Sequence, residues 1–143
     1  MLTSQLKVER VPKIWFLLVK KFYQQHYPSG KPNKADPIWI LKNQDKILSA
    51  VRLKQFINYQ LLTAMVTAPD FRHKGLGKYL LRSIRPALIE KHCYCFAYSH
   101  LCSFYSSNGF MSIEIEQLPN ELQQRFRAYT AHGRKLIPMR YIE

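Results

Sequence analysis

With 143 residues, 47% of them hydrophobic and 13% aromatic, the chain supports one domain with a single substantial core, and its ordinary globular composition excludes a disordered chain. Lys and Arg number 22 against 9 Asp and Glu, giving a formal charge of +13, so the surface concentrates anions; phosphate-bearing coenzymes, acidic acceptors and nucleic acid all fit that field. The longest apolar run, Ile14 to Val19, is far too short to span a membrane, and the N-terminus lacks signal-peptide architecture. Cys93, Cys95 and Cys102 are odd in number and lack zinc-ligand spacing, so they read as reduced thiols in a cytoplasm, with no metal.

Gln5 to Arg10 is predicted as a first strand, and Ile14 to about Gln25 as a helix whose Trp15, Leu18, Val19 and Phe22 share one apolar face. Tyr27 to Asn33 is a loop of turn-forming residues. Ile38 to Lys42 and Ile47 to Phe56 read as a hairpin, although no Asn-Gly or Asp-Gly fixes its turn. Leu61 to Thr67 is a central strand. Then comes a basic turn with two glycines, and a helix that directs Leu76, Leu80, Ile84 and Leu88 inward and carries Lys74, Lys78, Arg82 and Arg85 elsewhere. Pro86 removes an N–H and clashes one turn back, which predicts a kink.

Cys93 to Tyr98 is a buried-type strand, and Leu101 to Ser107 a short helix stopped by Asn108-Gly109. Phe110 to Glu116 alternates strictly, which predicts a strand with Met111, Ile113 and Ile115 on one face. Pro119 opens a helix whose face carries Leu122, Phe126 and Tyr129, with Gly133 just past its end. Leu136 to Ile142 closes the chain as a strand that Pro138 assigns to an edge or a bulge. The whole, residues 1–143, reads as one mixed α/β domain.

Residues 61–81 carry the most functional information. A strand delivering the chain to a glycine turn at a helix start builds an anion site, because the first helical N–H groups lack partners and point outward with the positive end of the dipole. Gly75 and Gly77 let a phosphate approach the main chain, and Arg72, Lys74 and Lys78 add charge. A Walker loop would need glycine at position 72 and Ser or Thr after the lysine, where Arg72 and Tyr79 stand. A dinucleotide fingerprint counted from Gly75 would need a small residue at Leu80.

What remains, Arg72-x-x-Gly75-x-Gly77 with Pro69 before it and Tyr79-Leu80-Leu81 after it, resembles the acetyl-CoA-binding signature of the GNAT superfamily of N-acetyltransferases. The resemblance implies a single-domain mixed sheet flanked by helices, with its fourth and fifth strands splayed to admit the pantetheine arm of acetyl-CoA. It implies that Arg72, His73, Lys74, Gly75, Leu76, Gly77 and Lys78 cradle the coenzyme pyrophosphate. Met65, Val66 and Thr67 would meet the acetyl end, with a main-chain N–H of Val66 or Thr67 as oxyanion donor. A second motif, Phe104-Tyr105-x-x-x-Gly109-Phe110, is similar to the family's Tyr-x-x-x-Gly-Phe and nominates Tyr105 as the general acid that protonates the departing thiolate. The family's asparagine about seven residues earlier is replaced by Tyr98, so the resemblance leaves the pantetheine contact to Tyr98 or to the neighbouring Ser99.

The base that relieves the amine of its proton is less legible. No Asp or Glu lies on the Leu61–Thr67 strand, which leaves His100, Glu114 and Glu116 as candidates, together with a base acting through water or direct uptake of the neutral amine; His100 has the best-matched ordinary pKa. The expected function is therefore acetyl transfer from acetyl-CoA to a primary amine of an unidentified acceptor, approached through Tyr27 to Pro37 and the segment around Leu118. The alternative is a basic nucleic-acid-binding or regulatory module that keeps the fold, or an acetyltransferase acting on tRNA. It draws on Arg125, Arg127, Arg134 and Lys135 with Phe126 and Tyr129 interleaved, but no recognised nucleic-acid motif accompanies them. A homodimer is left open, and no membrane is expected as a partner.

Overall fold

The computed structural model of the protein describes residues 5–142. Seven strands form one sheet in the order β1-β2-β3-β4-β5-β7-β6, where β1 is Leu6–Arg10, β2 Ile38–Asn43, β3 Lys46–Gln55, β4 Tyr59–Thr67, β5 His92–Tyr98, β6 Phe110–Ser112 and β7 Leu136–Tyr141. Every pairing is antiparallel except β4 with β5. The helices are α1 (Phe16–His26), α2 (Leu76–Ser83), α3 (Arg85–Glu90), α4 (Cys102–Ser106) and α5 (Asn120–Thr130).

Both faces of the sheet are covered, and neighbouring residues divide between them as strand geometry requires. Ile40, Ile47 and Ala50 pack with Val19, Phe22 and Tyr23 of α1, while their neighbours Leu41, Leu48 and Val51 pack with Leu76, Leu80, Ile84 and Leu88 of α2 and α3. Leu122 and Phe126 of α5 cover Leu61 and Tyr94. Among the described residues no helix is long and apolar enough to cross a membrane.

Four expectations need correction. In α1 the buried face is Val19, Phe22 and Tyr23; Leu18 is 48% exposed, and a 3₁₀ turn at Lys13–Trp15 shifts the helical phase. Pro86 breaks the helix instead of kinking it. Ile84 leaves the helical region at φ −98° and ψ 14°, and a second helix starts around the proline, where the missing N–H costs nothing.

The alternation after Phe110 does not make a strand through Glu116. β6 ends at Ser112, a 3₁₀ turn takes Ile115–Gln117, and Met111 faces solvent. The cause lies in the neighbouring strand β7. Pro138 lies inside the sheet, in β7 between β5 and β6, not at an edge. Its carbonyl accepts the N–H of Ile113 at 3.0 Å, so its nitrogen also faces β6 and cannot donate there. The ladder to β6 stops where that donor is missing.

Candidate active site

β4 and β5 are hydrogen-bonded neighbours only from Tyr59–Leu62 to His92–Cys95; beyond that the two strands no longer pair with each other. The gap opens into a cleft of about 580 Å³. Its floor is Thr63, Ala64, Met65 and Val66 on one side and Cys95, Phe96, Ala97 and Tyr98 on the other.

β4 buckles beside this opening. Its register against β3 slips between Ala50 and Arg52, and Ala64 sits at φ +53°. Past the bulge the ladder resumes: Ala68 N–H donates to Leu48 at 2.8 Å, and Ser49 Oγ donates to the Val66 carbonyl at 3.0 Å. Alternation then turns the Val66 main chain toward β3 and that of Thr67 away from it. The Thr67 carbonyl accepts Arg72 Nε at 3.0 Å, which ties the strand end to the glycine turn.

In that turn His73 (φ +64°) and Gly75 (φ +77°) both occupy the left-handed region, and Gly75 caps α2. The first main-chain bond into the helix runs from Tyr79 N–H to the Gly75 carbonyl at 3.0 Å, so the amides of Gly75, Leu76, Gly77 and Lys78 precede the ladder and remain available. Arg72, His73, Lys74, Gly75 and Lys78 are exposed. A Cβ at Gly77 would come within 3.2 Å of Phe104 Cζ and 3.4 Å of Met65 Cε. An exposed row of free amides, four neighbouring cationic or imidazole side chains and a bare glycine backbone fit a pyrophosphate.

Tyr105 lines the cleft from α4, packed edge-on against Phe104 and Phe110 and 8% exposed. Burial pushes its phenol well above the ordinary range, so it holds its proton at neutral pH. Tyr98 also lines the cleft. His100 lies in the 3₁₀ turn after β5, its ring 5.9 Å from that of Tyr98, and it is not part of the cleft wall. Glu114 and Glu116 lie outside the wall too, and Glu114 caps its own 3₁₀ turn with Gln117. Leu118 is buried under α5 and does not reach the cleft.

Sequence reasoning missed the opposite wall. Tyr27, Tyr129 and five cationic side chains line it or its approaches: Arg52 and Lys54 from β3, Arg72, Arg125 from α5 and Arg134 from the turn before β7. No Asp or Glu among the described residues does so. The basic cluster Arg125, Arg127, Arg134 and Lys135 and the Tyr27 to Pro37 segment hinted at it, and the structure divides the cluster: Arg125 and Arg134 line the cleft, whereas Arg127 and Lys135 do not. Cys93, Cys95 and Cys102 are free thiols, and no group of residues that could hold a metal occurs among the described residues.

Comparison with known proteins agrees with this geometry. The profile of the acetyltransferase (GNAT) domain family matches residues 34–112. N-acetylglutamate synthase from Neisseria gonorrhoeae, solved with coenzyme A and N-acetyl-glutamate, superposes with a TM-score of 0.73 at 13% identity over 95% of this chain and 34% of that one, so the chain spans about a third of that protein's length. Arabidopsis thaliana Naa50, in complex with a bisubstrate analogue, gives 0.69 at 14% identity over 97% and 99% of the two chains. The ribosomal-protein-S18-alanine N-acetyltransferase from Escherichia coli gives 0.64 at 14% identity over 95% and 92%. These likenesses are of fold. No curated protein matches the sequence.

Proposed function

The chain belongs to the GNAT family of acetyl-CoA-dependent N-acetyltransferases, and we propose that it moves the acetyl group directly to a primary amine, with Tyr105 as general acid. The observation that carries the reading is the cleft itself: β4 and β5 part from each other beyond Leu62 and Cys95 and open a space lined by Tyr105 and by Arg72 of the free-amide turn. The turn from Arg72 to Lys78 holds the pyrophosphate. Met65, Val66, Thr67 and Tyr98 border the pantetheine arm and the acetyl group, and the Thr67 main chain, directed away from β3, supplies the oxyanion contact.

The neutral amine attacks the thioester carbonyl and a C–N bond forms. As the tetrahedral intermediate collapses, the C–S bond breaks and Tyr105 gives its proton to sulfur, while the new ammonium loses one proton to water. Solvent then restores the phenol. Among the described residues no carboxylate lines the wall to act as base. The surrounding cations instead disfavour a positive ammonium and bias a bound amine toward its reactive free base. The structural neighbours act on different acceptors by name, a glutamate in one and a ribosomal protein's alanine in another. They give no single acceptor to carry over.

The test is Tyr105→Phe, which keeps the ring and its packing. Turnover should fall by about 10²–10⁴ with acetyl-CoA affinity nearly intact, measured by steady-state kinetics and calorimetry. Unchanged turnover on an acceptor for which transfer limits the rate would reduce Tyr105 to a packing residue.

A further inference from the structure

The cationic wall is unbalanced in a way that bears on the acceptor. Arg52 is paired with Asp36, 3.6 Å apart, and Arg125 with Glu121 at 3.5 Å. Lys54 and Arg134 have no carboxylate partner among the described residues, although both line the cleft. Arg134 lies over the ring of Tyr129, its guanidinium carbon 5.6 Å from the centroid, which leaves the edge of the fork free. Arg134 and Lys54 line the same cleft as Tyr27, Tyr98, Tyr105 and Tyr129.

Resting on the catalytic reading above, we propose that the acceptor is a small amine that also bears an anionic group, a carboxylate or phosphate, received by Arg134 and Lys54 while its amine faces Tyr105. Two cations without a carboxylate partner among the described residues, in a cleft also lined by phenols, form a site that a neutral or purely cationic amine would leave unsatisfied, and a polyamine would be repelled. The planar fork of Arg134 suits a two-oxygen anion, with Lys54 as a point charge beside it. Nucleic acid fits less well, because the cations line the cleft from four separate elements and do not form an outer stripe.

Matched acceptors test the idea: the α-amino acids against their α-amides, and O-phosphoethanolamine against ethanolamine, at saturating acetyl-CoA. The anionic member of a pair should show kcat/KM higher by about tenfold or more. Preference for the amino acids identifies a carboxylate, and preference for O-phosphoethanolamine a phosphate. Arg134→Gln and Lys54→Gln should each cut that preference by about tenfold, through KM, and should weaken calorimetric binding of the preferred acid to the enzyme–coenzyme A complex. Equal rates on acid and amide, a preference unchanged in both variants, or transfer to tRNA or protein alone would overturn the proposal. Failure to bind acetyl-CoA, or to acetylate any amine, would instead remove the catalytic reading along with it.

Discussion

The hydroxyl of Tyr23, in α1, donates a hydrogen bond of 2.8 Å to the carbonyl of Ala64, the residue at which β4 buckles. An L-residue in the left-handed region costs about 1–2 kcal/mol, and nothing in an alanine side chain repays it. The buried phenol does so from outside the strand. Gly30 packs against the same point, where a Cβ would lie 3.1 Å from Tyr23 Cδ1 and 3.2 Å from Ala64 Cβ. A helix on one side of the sheet thus fixes the main-chain bend that opens the cleft.

Tyr23→Phe therefore tests whether the bend positions the site. Loss of the donor leaves a buried carbonyl unsatisfied, and stability should fall by about 1–3 kcal/mol in denaturant titrations. If the bend also aims the main chain beyond it, kcat should drop more than acetyl-CoA affinity does. A stability loss with kcat unchanged would confine Tyr23 to a packing role.

The glycine turn makes a separate prediction for each glycine. Gly75→Val puts a β-branched residue at φ +77°, where strain and not space is the obstacle. Gly77→Val crowds Phe104 and Met65. Both should weaken acetyl-CoA by about tenfold or more in calorimetry, equivalent to about 1.4 kcal/mol. Near-native affinity in both variants would detach the turn from coenzyme binding.

Burial of neutral acids makes the fold sensitive to alkali. Tyr23, Tyr105 and Cys95 have pKa values raised by burial, and the Cys93 thiol is pushed up to about 12. In the unfolded chain these groups ionise at ordinary values, near 8.5 for Cys and 10 for Tyr. Below that range both states are neutral and the stabilisation is complete. As pH rises past it, the unfolded state loses protons first, so stability falls steadily toward the folded value near 12. Urea midpoints should be level from about pH 7 to 8 and drop by pH 10; a midpoint that stays constant or rises across that interval contradicts the buried, protonated assignment.

The strand, glycine turn and helix from Leu61 to Leu81 were legible because each has a local signal: apolar content, glycine at fixed offsets and a four-residue apolar repeat. Tyr105 was legible by motif. The end of β6 was not, since alternation describes one strand while Pro138, on its neighbour, decides where pairing stops. The Ala64 bulge gave no sign, because neither Gly nor Asn marks it and its partner lies 41 residues away. The cationic wall is assembled from β3, α5 and two turns, so no window of sequence contains it.

That dispersal sets the last prediction, which concerns polyanions. A nucleic-acid contact through Arg125, Arg127, Arg134 and Lys135 would make log affinity fall linearly with log salt, by about 0.9 per duplex phosphate or about 0.7 per single-strand phosphate neutralised. Phe126 is 4% exposed on the buried face of α5 and cannot stack on a base, Arg127 bonds Gln123 on its own helix, and Arg125 and Arg134 line the cleft. Binding to tRNA or DNA at roughly 150 mM salt should therefore be weak and indifferent to sequence, about 10⁻⁴–10⁻⁶ M. Charge reversal at the two outward residues, Arg127 and Lys135, should change it by no more than about one slope unit each. A nanomolar complex at that salt, abolished by reversing all four, would show that the positive charge serves a nucleic acid after all.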